Sequence, residues 1–546
     1  MTRSFVHRIL LALALGLSVA AHAAAEGPRG NLVSAQWLAK NLGSADLVIV
    51  DASPGHVHAA KHIPGAVQLD AFSSMARELA PAMVEKRIQS LGISPGKKVV
   101  VYDPGGTWFA PRIFFDLYEH GFPAEDLFIL DGGLAQWEKS GGAVTKDATP
   151  APARGTFRIS GPRDVRARLP EFLLASGDRA NHVLLDALDA KYHYGETKFF
   201  DRAGHVPHSV LMPAEDFFNA DKTFKSAEEI RRLAGYLGIV PEKQVNAYCG
   251  GGGAAAVPFF ALRFVAAYPK VKLYSASVYE WLSDDRGLPT WTYAAPFLKR
   301  DMDWVQGWGG GMLRMFGLAN MSLVDVRPAD SYAQGHVPFA VSIPAEKFRA
   351  HLGDSAKLAE ILGRSGVSAG HEAVVVSDGG LNPGSALAFL ALESLGQKRV
   401  SVLMESLVDW GMKGGPTTKE PTTIGRPKSP QDHAVPPATY VPNPRAGIVI
   451  RDPGHAQGAF PQVFLASGKQ APAARPGAKV IHVPYTEFLD ADGSPKAAKD
   501  IWKVLDKAGV PRYAEIILTA DDPGEAAVNY YILRLMGFPD IKVLIA

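Results

Sequence analysis

One cysteine, Cys249, stands among 546 residues, and four glycines follow it at once in "VNAYCGGGGAAAVPFFALRF". The run before the thiol reads as a short buried strand. The run after the glycines reads as a helix, so Cys249 sits at a strand–helix turn. A loop entering a helix collects amide N–H groups that lack intrahelical partners. Glycines let those amides turn inward without interference from a Cβ. Several amides and the positive end of a helix make an anion site. Around sulfur, such donors favour the thiolate, which is the nucleophilic form. The alternative is a buried, inert cysteine, a common fate for an unpaired thiol.

The elements that must position Cys249 recur four times. The central segments are "KKVVVYDPGGTWFAPRIFFDLYEHGF", "KQVNAYCGGGGAAAVPFFALRFVAAY", "HEAVVVSDGGLNPGSALAFLALESLG" and "AEIILTADDPGEAAVNYYILRLMGF". They place Tyr102-Asp103, Tyr248-Cys249, Ser377-Asp378 and Ala520-Asp521 in line. Upstream, a strand carrying an Asp recurs at Asp51, Asp186, Asp325 and Asp452, which points to a strand-end structural role. A turn and a second strand follow, as in "AAKHIPGAVQLD", "RAGHVPHSVLMP" and "AQGHVPFAVSIP". Apolar strands alternating with helical patterns predict an α/β fold in each repeat, a mostly parallel sheet with helices on both faces. An Asp in the place of Cys249 can cap the following helix. Asp103, Asp378 and Asp521 are therefore expected as structural replacements that hold no sulfur.

The predicted boundaries are 27–148, 158–292, 309–416 and 437–546, with a Pro-rich linker at 417–436 and a fourth repeat that stops at its closing strand. The segment "TYAAPFLKRDMDWVQGWGGG", rich in Trp and Phe, is expected to pack between the second and third repeats. Residues 1–23 read as a signal peptide. Arg3 and Arg8 precede an apolar run from Ile9 to about Ala20, and Ala21-His22-Ala23 offers a cleavage site. That run is short of the ~20 residues a spanning helix needs. The expectation is an exported, periplasmic protein with no membrane segment after cleavage. A formal charge of +2 gives no argument for nucleic acid. Hydrophobic content of 47% and charged content of 21% are ordinary for globular domains.

The pattern resembles the rhodanese family of thiosulfate and 3-mercaptopyruvate sulfurtransferases. The marks are "HIPGA" at His62–Ala66, "GHVP" at Gly204–Pro207 and Gly335–Pro338, and "LDGGLAQW" at Leu130–Trp137. The resemblance implies four tandem rhodanese-like domains, of which the second is catalytic and the others inactive. It also implies a ping-pong reaction. A small donor, thiosulfate or 3-mercaptopyruvate, passes its outer sulfur to Cys249, and a thiol or cyanide removes it. The amides of Gly250, Gly251, Gly252, Gly253 and Ala254 would cradle the persulfide, with no metal or cofactor. Thiosulfate-type members carry Arg and Lys where this chain has Gly250 and Gly251, so the neutral loop leans towards the mercaptopyruvate type. That type carries hydroxyls where this chain has Gly251 and Ala254. Family members often end the first strand Asp-Ala-Arg, with the Arg on substrate; here it is Asp186-Ala187-Leu188.

Anion binding must then come from elsewhere, and Arg202 is the best-placed cation. His205 and His208 lie on the same turn, and His336 recurs at the position of His205, which favours a structural role there. Tyr192 and His193 are placed near the mouth by their position in the repeat. A cysteine phosphatase would need an Arg about six residues after the Cys; the next one is Arg263. The glycine run lacks the Lys-Ser/Thr pair of a phosphate-binding P-loop. The competing reading is a periplasmic sulfur carrier or scaffold that receives persulfide from, or docks, a partner protein.

Overall fold

The structure, a computed structural model, describes residues 29–75, 78–454, 458, 460–470 and 479–545. The expected signal peptide lies outside the described residues. Among the described residues, no helix is long and apolar enough to cross a membrane. The chain forms two compact units. One runs to His193 and includes Thr197–Thr290; the other comprises Tyr194–Glu196 and the chain from Trp291.

The first unit holds two five-stranded parallel sheets. In chain order the strands are β1 (Leu32–Val33), β2 (Leu47–Asp51), β3 (Val67–Gln68), β4 (Lys98–Tyr102) and β5 (Leu127–Leu130), then β6 (Arg166–Ala167), β7 (His182–Asp186), β8 (Val210–Leu211), β9 (Gln244–Tyr248) and β10 (Val271–Tyr274). The spatial orders are β1-β5-β4-β2-β3 and β6-β10-β9-β7-β8. Val99, Val100, Val101 and Tyr102 are buried in succession, as a parallel strand covered on both faces requires. One face of the first sheet packs Ile49, Val100 and Phe128 against Leu38 and Trp137 of two helices. Helix Phe109–Glu119 of the first repeat meets helix Ala256–Phe260 of the second. Phe114–Phe260 and Phe115–Phe259 pack edge to face there, with ring centroids 4.8 and 4.9 Å apart.

The second unit repeats this plan. Its strands are β11 (Lys299–Arg300), β12 (Met321–Asp325), β13 (Ala340–Ser342), β14 (Glu372–Val376) and β15 (Arg399–Leu403), then β16 (Thr423–Ile424), β17 (Ala434–Val435), β18 (Val449–Ile450), β19 (Gln462–Ala466), β20 (Val480–His482), β21 (Glu515–Thr519) and β22 (Ile541–Leu544). The two larger sheets run β11-β15-β14-β12-β13 and β18-β22-β21-β19-β20. The edge strand of the first of these sheets lies at Lys299–Arg300, ahead of residue 309. This two-residue strand is too short to show a period. The aromatic segment 292–311 spans this edge strand and continues into helix Met302–Gly309, capped by Asp301. The Pro-rich linker carries β16 and β17, paired in a small parallel sheet.

Strand register corrects the alignment of the repeats. Asp51 lies opposite Tyr102, Asp186 opposite Tyr248, Asp325 opposite Val376 and Ala466 opposite Thr519. The residue that follows the central strand is thus Asp103, Cys249, Ser377 or Ala520. The expected Asp378 and Asp521 are one position late. Asp452 follows the edge strand β18, so it is not the counterpart of Asp186; Ala466 is.

The capping expectation holds for Asp103 alone. Its carboxylate accepts from Gly105 N at 2.7 Å, Thr107 Oγ1 at 2.6 Å and Ala110 N at 3.1 Å. Burial pushes this carboxyl above its usual range. Asp378 is exposed and lies 3.8 Å from Arg327. Asn382 caps that helix instead, in a reciprocal box with Ser385. In the fourth repeat Asp522, not Asp521, accepts from the helix amide of Gly524. Asn382→Ala should therefore cost about 1 kcal/mol of stability in the second unit. Asp378→Ala should stay within about 0.5 kcal/mol. Denaturant unfolding of the two variants checks the difference.

Candidate active site

Cys249 follows β9 in the middle of its sheet, at the carboxyl end of the strands, where open α/β sheets bind ligands. The residue is 2% exposed. Its Sγ accepts from the backbone N–H of Gly252 at 3.1 Å. Ser277 Oγ lies 3.9 Å from the sulfur and accepts from Cys249 N at 3.0 Å. The same hydroxyl donates to Tyr274 O at 2.7 Å. Within the expected cradle of Gly250 to Ala254, Gly252 is the amide brought onto the sulfur.

Three of the four glycines have separate reasons. Gly252 has φ +83°, and a Cβ there would sit 2.5 Å from Ser275 O. A Cβ on Gly253 would sit 2.8 Å from the ring of Trp108, which belongs to the first repeat. A Cβ on Gly250 would sit 2.9 Å from the ring of Phe199. The loop is therefore turned by one glycine and roofed by aromatic rings on two others.

Two residues at this site carry no obvious mark in the sequence. Ser277 adopts φ +53°, where the first repeat has Gly133 at φ +57°. A serine held in the left-handed region stores strain, which clusters at functional positions. Comparing "LDGGLAQW" with "LYSASVYEW" would have exposed the exchange. Arg112, buried in helix Phe109–Glu119, reaches from the first repeat to the cysteine loop. Its Nη1 donates to Gly252 O at 3.3 Å and Ser275 Oγ at 3.1 Å, and its Nη2 pairs with Asp116 at 2.9 Å. Burial lowers its pKa, against the opposing pull of Asp116.

Cys249, Gly250, Gly251, Gly253 and Ala254 line a cavity of ≈ 770 Å³, with Phe72 and Trp108 from the first repeat and Leu188, Phe199 and Tyr279 from the second among its walls. Arg202 is not among them. Its guanidinium donates to the carbonyls of Leu288, Trp281 and Leu282, the last at 2.6 Å. It thus ties down the end of helix Ser277–Ser283, as arginines do at helix C-termini.

The histidines are also structural in their contacts. His193 Nδ1 meets Asp186 at 2.8 Å, and His205 Nδ1 meets His193 O at 2.7 Å. The two rings stack 3.6 Å apart. The first repeat builds the same stack from His58 and His62, at 3.9 Å. Burial pushes the Asp186 carboxyl up to about 6 and the His205 imidazole well down. His208 has φ +65°, as Phe339 has +68° and Gly65 +79° at the matching turns. Tyr192 stacks on Phe199, with centroids 4.4 Å apart.

A cysteine on a strand–helix turn of a helix-covered parallel sheet, its sulfur taking a loop amide, is the arrangement expected of a rhodanese-type domain. The comparisons agree, and this chain belongs to the rhodanese family. The rhodanese-like domain matches residues 34–140 and 312–413. A putative thiosulfate sulfurtransferase of Saccharopolyspora erythraea is 30% identical over 265 residues, 46% of this chain and 92% of that protein. A probable 3-mercaptopyruvate sulfurtransferase of Pseudomonas aeruginosa is 30% identical over 281 residues, 47% of this chain and 96% of that protein. The sulfur carrier protein TtuD of Thermus thermophilus is 27% identical over 267 residues, 46% of this chain and 93% of that protein.

Proposed function

We propose that this protein is a sulfurtransferase that carries sulfane sulfur on Cys249 as a persulfide. The observation that carries the reading is the Gly252 N–H held 3.1 Å from Sγ at the wall of a cavity. Attack by the Cys249 thiolate on the outer sulfur of a donor breaks that sulfur's bond to the rest of the donor. That rest departs as sulfite from thiosulfate, or from 3-mercaptopyruvate as the enolate of pyruvate that takes the thiol proton. An anionic persulfide is left on Cys249. The loop amide is placed to hold such an anion without reorganisation. A thiol or cyanide then takes the outer sulfur and restores the thiolate. Thiosulfate and 3-mercaptopyruvate are the donors that the relatives' names supply. The chain is read as four rhodanese-like repeats, of which the second works and the other three lack the thiol, in a protein exported by its N-terminal segment.

A second reading is a non-turnover sulfur carrier that exchanges with a protein partner. One relative bears that name. Among the described residues, the cavity wall also offers no carboxylate, imidazole or amine as a proton donor. Steady-state thiocyanate production from each donor separates the two. Repeated turnover supports the enzyme. A single stoichiometric burst per Cys249 supports the carrier. No product from either donor, with no sulfur acquired by Cys249, overturns both.

A further inference from the structure

The described walls around Cys249 are largely aromatic, and none of their side chains is charged. Phe72 is 53% exposed, Phe199 48% and Tyr279 50%, three half-open rings at one thiol. Exposed apolar surface of this kind, gathered at a reactive group, marks a binding face. Phe72 packs edge-on against Trp108, with centroids 4.9 Å apart, and Phe200 against Tyr279 at 5.6 Å. Among the described residues, no Arg, Lys, His, Asp or Glu lines the cavity. Arg112 is near, but its guanidinium is occupied by Gly252 O, Ser275 and Asp116.

Leu188 is the telling position. It lies two residues past Asp186 and lines the cavity. The third repeat has Arg327 two residues past Asp325, where its guanidinium grips that carboxylate. The fold can therefore hold an arginine at this position, and the repeat with the thiol has leucine. A small dianion entering such a cavity would shed its water and meet no cation among the described residues of the wall, which is costly. An apolar group would leave water for aromatic surface, which is favourable.

From this we propose that Cys249 exchanges sulfur with an uncharged, apolar thiol/persulfide pair, R–SH and R–S–SH, in which R is aromatic or branched aliphatic. The proposal rests on the persulfide reading above. In the loading step the Cys249 thiolate attacks the outer sulfur of R–S–SH. The S–S bond to R breaks, and its electron pair leaves on R–S⁻. That thiolate takes the proton from the new Cys249–S–SH and departs as R–SH, leaving the persulfide anion beside the Gly252 amide. The reverse sequence unloads the sulfur onto R–SH. No external oxidant or reductant enters.

The test separates the proposal from the reading beneath it. The protein is incubated with benzyl hydropersulfide and, separately, with inorganic polysulfide, and the Cys249 peptide from each is weighed. If no extra sulfur is found, the persulfide reading itself falls. Once it is loaded, discharge is timed with benzyl mercaptan and with 2-mercaptoethanesulfonate. Each rate is divided by that thiol's rate with glutathione persulfide in free solution, which removes intrinsic nucleophilicity. The normalised rate for the benzyl thiol should exceed that for the sulfonate by about tenfold or more. Leu188→Arg should narrow or invert that ratio, and Phe72→Ala, on the rim, should lower the benzyl rate alone. Equal normalised rates in the wild type, or faster discharge by the sulfonate, overturn the proposal. So does a ratio unmoved by both variants or, if Leu188→Arg does not fold, by Phe72→Ala.

Discussion

Cys249→Ser is expected to abolish sulfur transfer while leaving the unfolding midpoint of the first unit nearly unchanged. The loss should be about 10⁴-fold or more, since no other group can take over the nucleophile's role. Serine is close to isosteric, and its Oγ can accept the Gly252 N–H that now meets Sγ. The third repeat already shows that the position tolerates it: Ser377 stands there, buried, with its hydroxyl donating to Gly380 O at 3.2 Å. An alkoxide forms far less readily than a thiolate, and a serine cannot hold sulfane sulfur as a persulfide. Thiocyanate formation measured beside a thermal melt checks both halves. A variant that still turns over at the wild-type rate would remove Cys249 from the mechanism.

Gly252→Ala should damage both fold and chemistry. The backbone is at φ +83°, where an L side chain is strained, and the added methyl would meet Ser275 O at 2.5 Å. The carbonyl oxygen belongs to the chain segment just after β10, so it cannot move aside cheaply. About 2–3 kcal/mol of stability should be lost. The same displacement takes the Gly252 N–H off the sulfur, and losing one preorganised donor costs about 10²-fold in rate. It also removes the carbonyl that Arg112 holds. Gly251, whose backbone is outside the left-handed region, provides the comparison. Gly251→Ala should cost less than about 1 kcal/mol. Equal effects at the two positions would show that the loop needs small residues rather than this one turn.

Much of this was legible in the sequence. The parallel sheets and the placing of Cys249 at a strand–helix turn follow from apolar runs, Gly punctuation and helical periodicity. The one-residue slip at Asp378 and Asp521 has a plain origin. An acidic residue beside a strand end looks like the Asp of Tyr102-Asp103, and only hydrogen-bonded register tells the positions apart. In the fourth repeat the edge strand "GIVI" is as apolar as a central one, so its following Asp452 took the place of Ala466. Arg202 reads in the sequence as a cation near a turn, but its donors serve carbonyls that are distant in sequence. Arg112 looked like any helical arginine. Its role depends on two repeats packing through their central helices, which no local pattern reports. The aromatic roof on Gly250 and Gly253 is hidden for the same reason, since Trp108 and Phe199 come from segments far from the loop.

The central claim is that sulfur travels on the thiol at the end of β9. Peptide mass mapping after incubation with a sulfane-sulfur donor addresses it most directly. The account predicts that the peptide holding Cys249 gains one sulfur atom and returns to its original mass on adding cyanide. A donor consumed with that peptide unchanged throughout would contradict it.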